Sequence, residues 1–186
     1  MRYCLRTLLV VLTLGPMVLV EYVGCSTPKE PPPGFYDRFR VPFPPEVRRV
    51  LDEPDRFTLF SVEGGDEGHD EILPAVTEQS FHGISILGKT EIADTQQRKL
   101  LIEALDDGIS KVMHGPAICF WPRHGISVVR GDTRFDFVIC FECSQIYVLD
   151  GDGRGIFQTQ TTDDPAVVFN QALASAQVPR AKPPSH

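Results

Sequence analysis

AICFWPRHGISVVRGDTRFDFVICFECSQIYVL, residues 117–149, is the stretch whose reading decides the fold. It is dense in β-branched and aromatic residues, with Gly131-Asp132 between two such runs. Runs of this kind read as strands. A Gly-first pair between them suits a two-residue type II′ hairpin turn. The spacing therefore predicts two long strands, over 117–129 and 133–149. Placing Arg130 opposite Thr133 sets Val128 against Phe135 and Ile126 against Phe137. All four then share one face, which Ile139 and Phe141 continue. A slip of one residue would turn that whole set to solvent, so the pattern specifies the register.

The neighbouring segments extend the sheet. RFTLFSV, residues 56–62, reads as a strand. Residues 81–92, with Ile84, Ile86 and Ile92, predict another, and the Gly- and acid-rich stretch 63–71 between them reads as a loop. Leu100, Leu101, Ala104, Leu105 and Ile109 recur at helical spacing, with Asp94 or Thr95 available as the cap. Residues 46–51 predict a short helical turn. Asp150-Gly151-Asp152-Gly153 predicts a turn into a strand at 155–160. Asp163 or Asp164 would cap a last helix, with Pro165 in its first turn and Val167, Val168, Leu173 and Ala176 as its apolar side. The predicted order is ββ-α-βββ-α. Hairpins and tight turns of this kind indicate an α+β fold, a small antiparallel sheet of about five strands with two helices packed on one face.

The first 24 residues differ in kind. Arg2 and Arg6 are followed by an apolar run, 7–20, broken by Gly15-Pro16 and ended by Glu21. A bilayer-spanning helix needs about 20 apolar residues, so a signal-peptide core fits this run better. Val23-Gly24-Cys25-Ser26 resembles the bacterial lipobox, with Tyr22 in place of the usual aliphatic residue. That resemblance implies cleavage before Cys25, lipid attachment (a palmitate-type acyl anchor) to its thiol, and export to the cell membrane or outer membrane, facing the periplasm or exterior. Residues 25–46, STPKEPPPGFYDRFRVPFPPE after Cys25, read as a proline-rich tether. Its aromatic second half is more apolar than a spacer requires and is expected to lie on the domain. The folded domain is expected over 47–178, with a disordered tail at 179–186.

Charge narrows the partners. The chain carries −7. Residues 1–24 hold Arg2, Arg6 and Glu21, so their removal leaves −8. Such an acidic chain is a poor match for nucleic-acid phosphates. It also gives no electrostatic pull toward anionic lipid, which leaves the acyl chain as the expected membrane contact.

Five cysteines are present. Cys4 leaves with the signal and Cys25 would be lipidated, so Cys119, Cys140 and Cys143 remain in the domain. Three readings compete. Cys119 bridges Cys143 or Cys140 across the hairpin, helped by a bulge at Pro122. Alternatively, Cys119, Cys140, Cys143 and His124 hold zinc, for which the ligand types suit but the strand geometry does not. Residues 140 and 143 of one regular strand point to opposite faces. The third is a Cys140-x-x-Cys143 redox pair, here lacking the helix N-terminus that activates such thiols. His124 with Cys119 would make a nucleophile–base pair, but no orienting Asn or Asp is identifiable in the sequence. His69, His82 and His114 lack metal spacing. Gly64 to Glu67 reads GGDE and is best taken as a solvated loop. Asp150, Asp152 and Gly155 match only part of a calcium loop.

Phe81-His82-Gly83, CFWPRHGI and DFVICFEC together resemble a family of small exported bacterial proteins. In that family a hairpin opens on Cys-Phe-x-Pro-x-His-Gly and closes on Ile-Cys-Phe-x-Cys. The resemblance spans roughly residues 57–178. It implies that Cys119, His124, Cys140 and Cys143 serve the integrity of the fold, and it implies no activity. The sequence thus leads to an exported, membrane-anchored lipoprotein that is a non-enzymatic binding module, with a protein or cell-wall partner and no resident cofactor. The alternative is a zinc- or thiol-dependent site on Cys119, His124, Cys140 and Cys143.

Overall fold

The structure is a computed structural model and describes residues 32, 34–64, 76–113, 115 and 120–182. Cys25, the lipobox, Cys119, His69, His114, the acidic stretch from residue 65 and the last four residues lie outside the described residues. After a 3-10 turn at Asp37–Phe39, the elements run in a simple order. They are α1 (Pro45–Asp52), β1 (Arg56–Glu63), β2 (Ser80–Phe81), β3 (Ile84–Glu91), α2 (Thr95–Ser110), β4 (His124–Arg130), β5 (Thr133–Cys140), β6 (Gln145–Asp150), β7 (Gly155–Gln160) and α3 (Pro165–Ser175). The strands form one antiparallel sheet in the order β2-β3-β1-β4-β5-β6-β7.

The α+β class is as expected, but the protein is mostly sheet. Among the described residues seven strands replace the predicted five, and the short helical turn expected at 46–51 is a third α-helix beside the two predicted. The extra strands come from segments expected as single strands, which fold back on themselves. His82 and Gly83 both take positive φ, 53° and 86°, making a two-residue turn between β2 and β3. The single strand expected over 133–149 is a hairpin. Its turn is closed by the Ser144 amide donating to the Phe141 carbonyl at 3.0 Å, with Ser144 at φ 59°. Nothing in Phe141-Glu142-Cys143-Ser144 advertises a turn by composition, and a continuous apolar run carries no period that would reveal one. Of the strand expected from residue 117, residues 117–119 lie outside the described residues, 120–123 are not in a strand, and β4 starts at His124. Pro122 lies just before it and has no amide to donate to a ladder.

The deciding hairpin has the predicted register: Arg130 pairs with Thr133, Val128 with Phe135 and Ile126 with Phe137. Alternation along the strands then separates two cores. Phe57, Leu59, Ile126, Val128, Phe135, Phe137, Ile139, Ile146 and Val148 meet residues of all three helices, among them Leu51, Leu105 and Phe169. On the other face Phe60, Val62, Phe81, Ile84, Val138 and Leu149 form a smaller cluster. Packing also reaches upstream of α1. Phe43 is buried edge-on against Phe137, and the Thr159 hydroxyl donates to the Val41 carbonyl at 2.7 Å.

The helices show which local signals suffice. Asp94 caps α2, its carboxylate accepting from the Gln97 amide at 2.6 Å. Asp164 occupies the corresponding place in α3 but makes no side-chain cap, so Pro165 starts that helix alone. The expected apolar side of α3 is corrected in part: Leu173 is buried and Val168 packs against the core as expected, but Val167 and Ala176 are exposed. Val167 is 60 % exposed, whereas Pro165, Phe169, Ala172 and Leu173 face the core.

Gly108 lies where α2 approaches the start of α3. A Cβ there would fall 2.6 Å from Pro165 Cγ and would also strike Thr161 Oγ1. In an open helix Gly→Ala stabilises by about 1 kcal/mol, but overpacking costs about 1–3 kcal/mol. Gly108→Ala is therefore expected to lower the urea midpoint. A raised midpoint would show that α2 and α3 have room to part.

Candidate functional site

The strands that build the main core carry polar residues where they reach one end of the sheet. Phe57 and Leu59 face the helices, and the next residue in phase on β1 is Ser61. Val128 and Ile126 do the same on β4, and the next in phase is His124. Ser61 and His124 are cross-strand partners in the β1–β4 ladder. Both are buried, at 1 % and 5 % exposure. Together with Phe141 and α3 residues Ala166, Asn170 and Leu173 they line a cavity of about 700 Å³. Arg123, Glu142, Asp163 and the chain segment Arg180–Lys182 form its charged remainder. The tail was expected to be disordered from residue 179, yet residues 180–182 lie on this cavity.

The chemistry of the deep end is specific. His124 Nε2 lies 3.2 Å from Asn170 Oδ1. An amide oxygen only accepts, so Nε2 carries the ring proton and Nδ1 presents a lone pair. Desolvation lowers the His124 pKa to about 4, outweighing the Asn170 bond, with the Arg123 and Arg180 charges adding to the drop. The ring is thus neutral at pH 7. Neither His124 Nδ1 nor Ser61 Oγ has a hydrogen-bond partner among the described residues. Burying such a group unmet costs about 1–3 kcal/mol. The ring is held between Phe141 and Phe169, at 5.1 and 5.7 Å between centroids. At the rim Arg123 Nε pairs with Glu142 at 3.1 Å. Arg180 and Lys182 have no acidic partner among the described residues.

The cysteine pairing differs from the cross-hairpin bridges weighed from sequence. Cys140 and Cys143 form a disulfide with Cα atoms 5.1 Å apart. The premise that they face opposite sides of one strand fails, because β5 ends at Cys140 and Cys143 lies in the turn. The bond clamps the turn that delivers Phe141 and Glu142 to the cavity wall. Cys143 Sγ also accepts from the Trp121 amide at 3.2 Å. Among the described residues no three His, Cys, Asp or Glu side chains converge as a metal site. The orienting group that the sequence left unidentified for His124 is Asn170, 46 residues downstream.

A second buried polar cluster lies on the opposite face. His82 Nε2 donates to Asp136 at 2.9 Å, and Arg134 reaches both carboxylate oxygens at 2.9 and 2.8 Å. Burial alone would push the Asp136 carboxyl up. Bonds from His82, Arg134 and Ser127, with the Arg134 charge, outweigh that and hold it below the ordinary carboxylate range. Asp136 is therefore a filled structural centre, while Ser61 and His124 keep unused valences. Of the predicted site residues, the structure places His124 in the cavity and Cys140 and Cys143 beside it. Sequence reasoning missed Ser61, Asn170, Arg180 and Lys182. The available signal was a polar residue at a core-facing phase in each of two central strands.

No protein-family model, curated protein or solved structure matches this chain.

Proposed function

We propose that this protein is an exported lipoprotein, anchored through an acylated Cys25, whose domain binds a small ligand in the cleft between the sheet end and α3. The observation that carries the binding reading is the cavity of about 700 Å³ itself, lined by Ser61, His124 and Asn170 and by the cationic side chains Arg123, Arg180 and Lys182. Folded proteins satisfy the large majority of their buried polar groups. Of the four buried side-chain atoms without a partner among the described residues, those of Ser61 and His124 belong to residues of adjacent strands that line this cavity, whereas Gln160 and Thr161 do not line it. The address rests on the lipobox-like Val23-Gly24-Cys25 after a short apolar run.

Two measurements test the two halves. Radiolabelled palmitate fed to the expressing bacterium should label the chain, and Cys25→Ser should abolish the label. A labelled Cys25→Ser chain would sink the anchor. For the cleft, Ser61→Ala removes a hydroxyl that the fold does not use. It should leave thermal stability unchanged or raise it by about 1 kcal/mol, since an unmet buried group disappears. A loss of more than about 1 kcal/mol would mean that Ser61 is structural and that the cleft reading fails.

The alternative reading, a thiol- or zinc-dependent site, is supported by the contact between Cys140 and Cys143 beside the cavity. With both sulfurs bonded neither is a thiolate ligand, so that reading requires the reduced chain. Stoichiometric zinc on reduced, purified protein, lost in Cys140→Ser/Cys143→Ser, would favour it over the cleft.

A further inference from the structure

The chain beyond α3 is a strap seated on the sheet. Gln177, at φ 57°, ends the helix, and the Val178 amide donates back to the Leu173 carbonyl at 2.9 Å. Val178 packs against the main core. The strap then crosses β3 at Gly88, where a Cβ would fall 2.8 Å from Val178 Cγ1 and 3.3 Å from Pro179 Cδ. Carbon atoms in ordinary contact keep about 3.5–4.0 Å, so a side chain at Gly88 would push the strap away. Gly88 is the cross-strand partner of Ser61. The next residues of the strap, Arg180, Ala181 and Lys182, lie on the cavity that Ser61 lines.

This seat gives the cavity its charge. Arg123, Arg180 and Lys182 stand on the lining against the carboxylates of Glu142 and Asp163. His124 is neutral at pH 7 and adds nothing. The balance is one positive charge, in a chain whose total is −7. Arg123 is spent on Glu142 at 3.1 Å. Arg180 and Lys182 are exposed and have no acidic partner among the described residues. The two free cations of the site therefore both come from the strap. Asn170, half-buried on the same lining, spends its Oδ1 on His124 and keeps only its NH2 to offer. Free groups that only donate call for an occupant that accepts. A carboxylate does so with one negative charge, and a guanidinium can bind it with two parallel bonds. A phosphate monoester, at about −1.5 to −2, exceeds the balance.

Taking the cleft as the binding site proposed above, we infer that it binds a small organic carboxylate through Arg180 and Lys182, on a C-terminal strap that Gly88 seats. The strap is then a working part of the site, and its contribution has two separable components, the charge it carries and the place where it lies.

The full chain, purified in detergent, is titrated at pH 7 and constant ionic strength with four probes. Butyrate, butyramide and butylammonium share a size and differ in charge, and inorganic phosphate is the fourth. Calorimetry gives the affinity, and the side-chain amide signal of Asn170 in nuclear magnetic resonance reports whether the cleft is occupied. Butyrate should move that signal and bind about tenfold more tightly than each of the others. Arg180→Glu/Lys182→Glu should weaken butyrate by about tenfold or more, since two attractions become repulsions. Its melting temperature should be unchanged, because both side chains are exposed and outside any ion pair described. Gly88→Val changes no charge and should also weaken butyrate, by displacing the strap. Butyrate binding that survives the charge reversal overturns the carboxylate site on the strap while leaving a binding cleft. Butyramide, butylammonium or phosphate matching butyrate overturns the ligand class and likewise leaves the cleft. Parental affinity in Gly88→Val overturns the role of the seat. No movement of the Asn170 signal with any probe overturns the ligand class and the cleft together.

Discussion

Asp136→Ala is expected to lower stability by about 3–5 kcal/mol, the range for breaking a buried charged pair by removing one partner. Domains of this size are stable by about 5–15 kcal/mol, so the variant should melt far below the parent or fail to fold cooperatively. The cause is geometric. The carboxylate is 1 % exposed and accepts from His82, Arg134 and Ser127. Its loss removes the acceptor that the buried His82 Nε2 uses, on a turn residue already at φ 53°. Asp136→Asn keeps the shape and one acceptor oxygen and should lose less. The discriminating measurement is a double-mutant cycle by urea denaturation. Asp136→Ala should cost clearly less on a His82→Ala background, because the two share one interaction. Additive losses would mean that the pair is not coupled and that the cluster is only a set of neighbours.

Acidification should destabilise the domain from about pH 6.5 downward. His124 has a folded pKa of about 4 against an ordinary 6.5. Between those values the unfolded chain binds the proton and the folded chain does not, so stability rises with pH across that window. The contribution is fully present at pH 7 and is lost from about pH 6.5 downward, on the order of 3 kcal/mol once the pH is below 4. Asp136 acts in the same direction at lower pH. Its depressed pKa contributes stability that is present above the ordinary carboxylate value and disappears as pH falls through the folded one. The two are separable by difference. His124→Leu should flatten the stability profile between pH 6.5 and 4 and leave the loss below 4 in place. An unchanged slope in that variant would show that His124 is not the group being charged.

Much of the frame was legible because its signals are local. The Asp94 cap and the 3.6-residue apolar recurrence mark α2 within one stretch of chain, and Gly131-Asp132 sets the register of β4 and β5. The misreadings also share a cause. Residues 137–141 are apolar throughout, and 81–92 mix five apolar side chains with polar ones and two glycines, so strict alternation does not show where either segment reverses. Their reversals depend on His82-Gly83 and on the turn that the Cys140–Cys143 disulfide closes. The apolar side of α3 was misjudged for a related reason. Val167 and Phe169 are equally hydrophobic in composition, and only the position of the sheet decides which is covered.

The candidate site was scarcely legible. His124 stood out only through its neighbour Cys119, and Ser61 did not stand out at all. Each is an ordinary polar residue in an otherwise core-facing series.

By itself, the sequence determined the α+β class, the central hairpin with its register, and the existence of α2. Each of these follows from periodicity, capping or turn chemistry within a short window. Only the tertiary structure decided that Ser61 and His124 are partners, that Asn170 on α3 fixes the proton of the ring, and that Arg180 and Lys182 stand at the mouth. Those residues are separated by tens of positions, and the strand order that unites them, β1 beside β4, is a property of the whole sheet. Local patterns state which face of a strand is buried; the choice of neighbouring strand, and therefore the composition of any site, depends on how all the faces are covered at once.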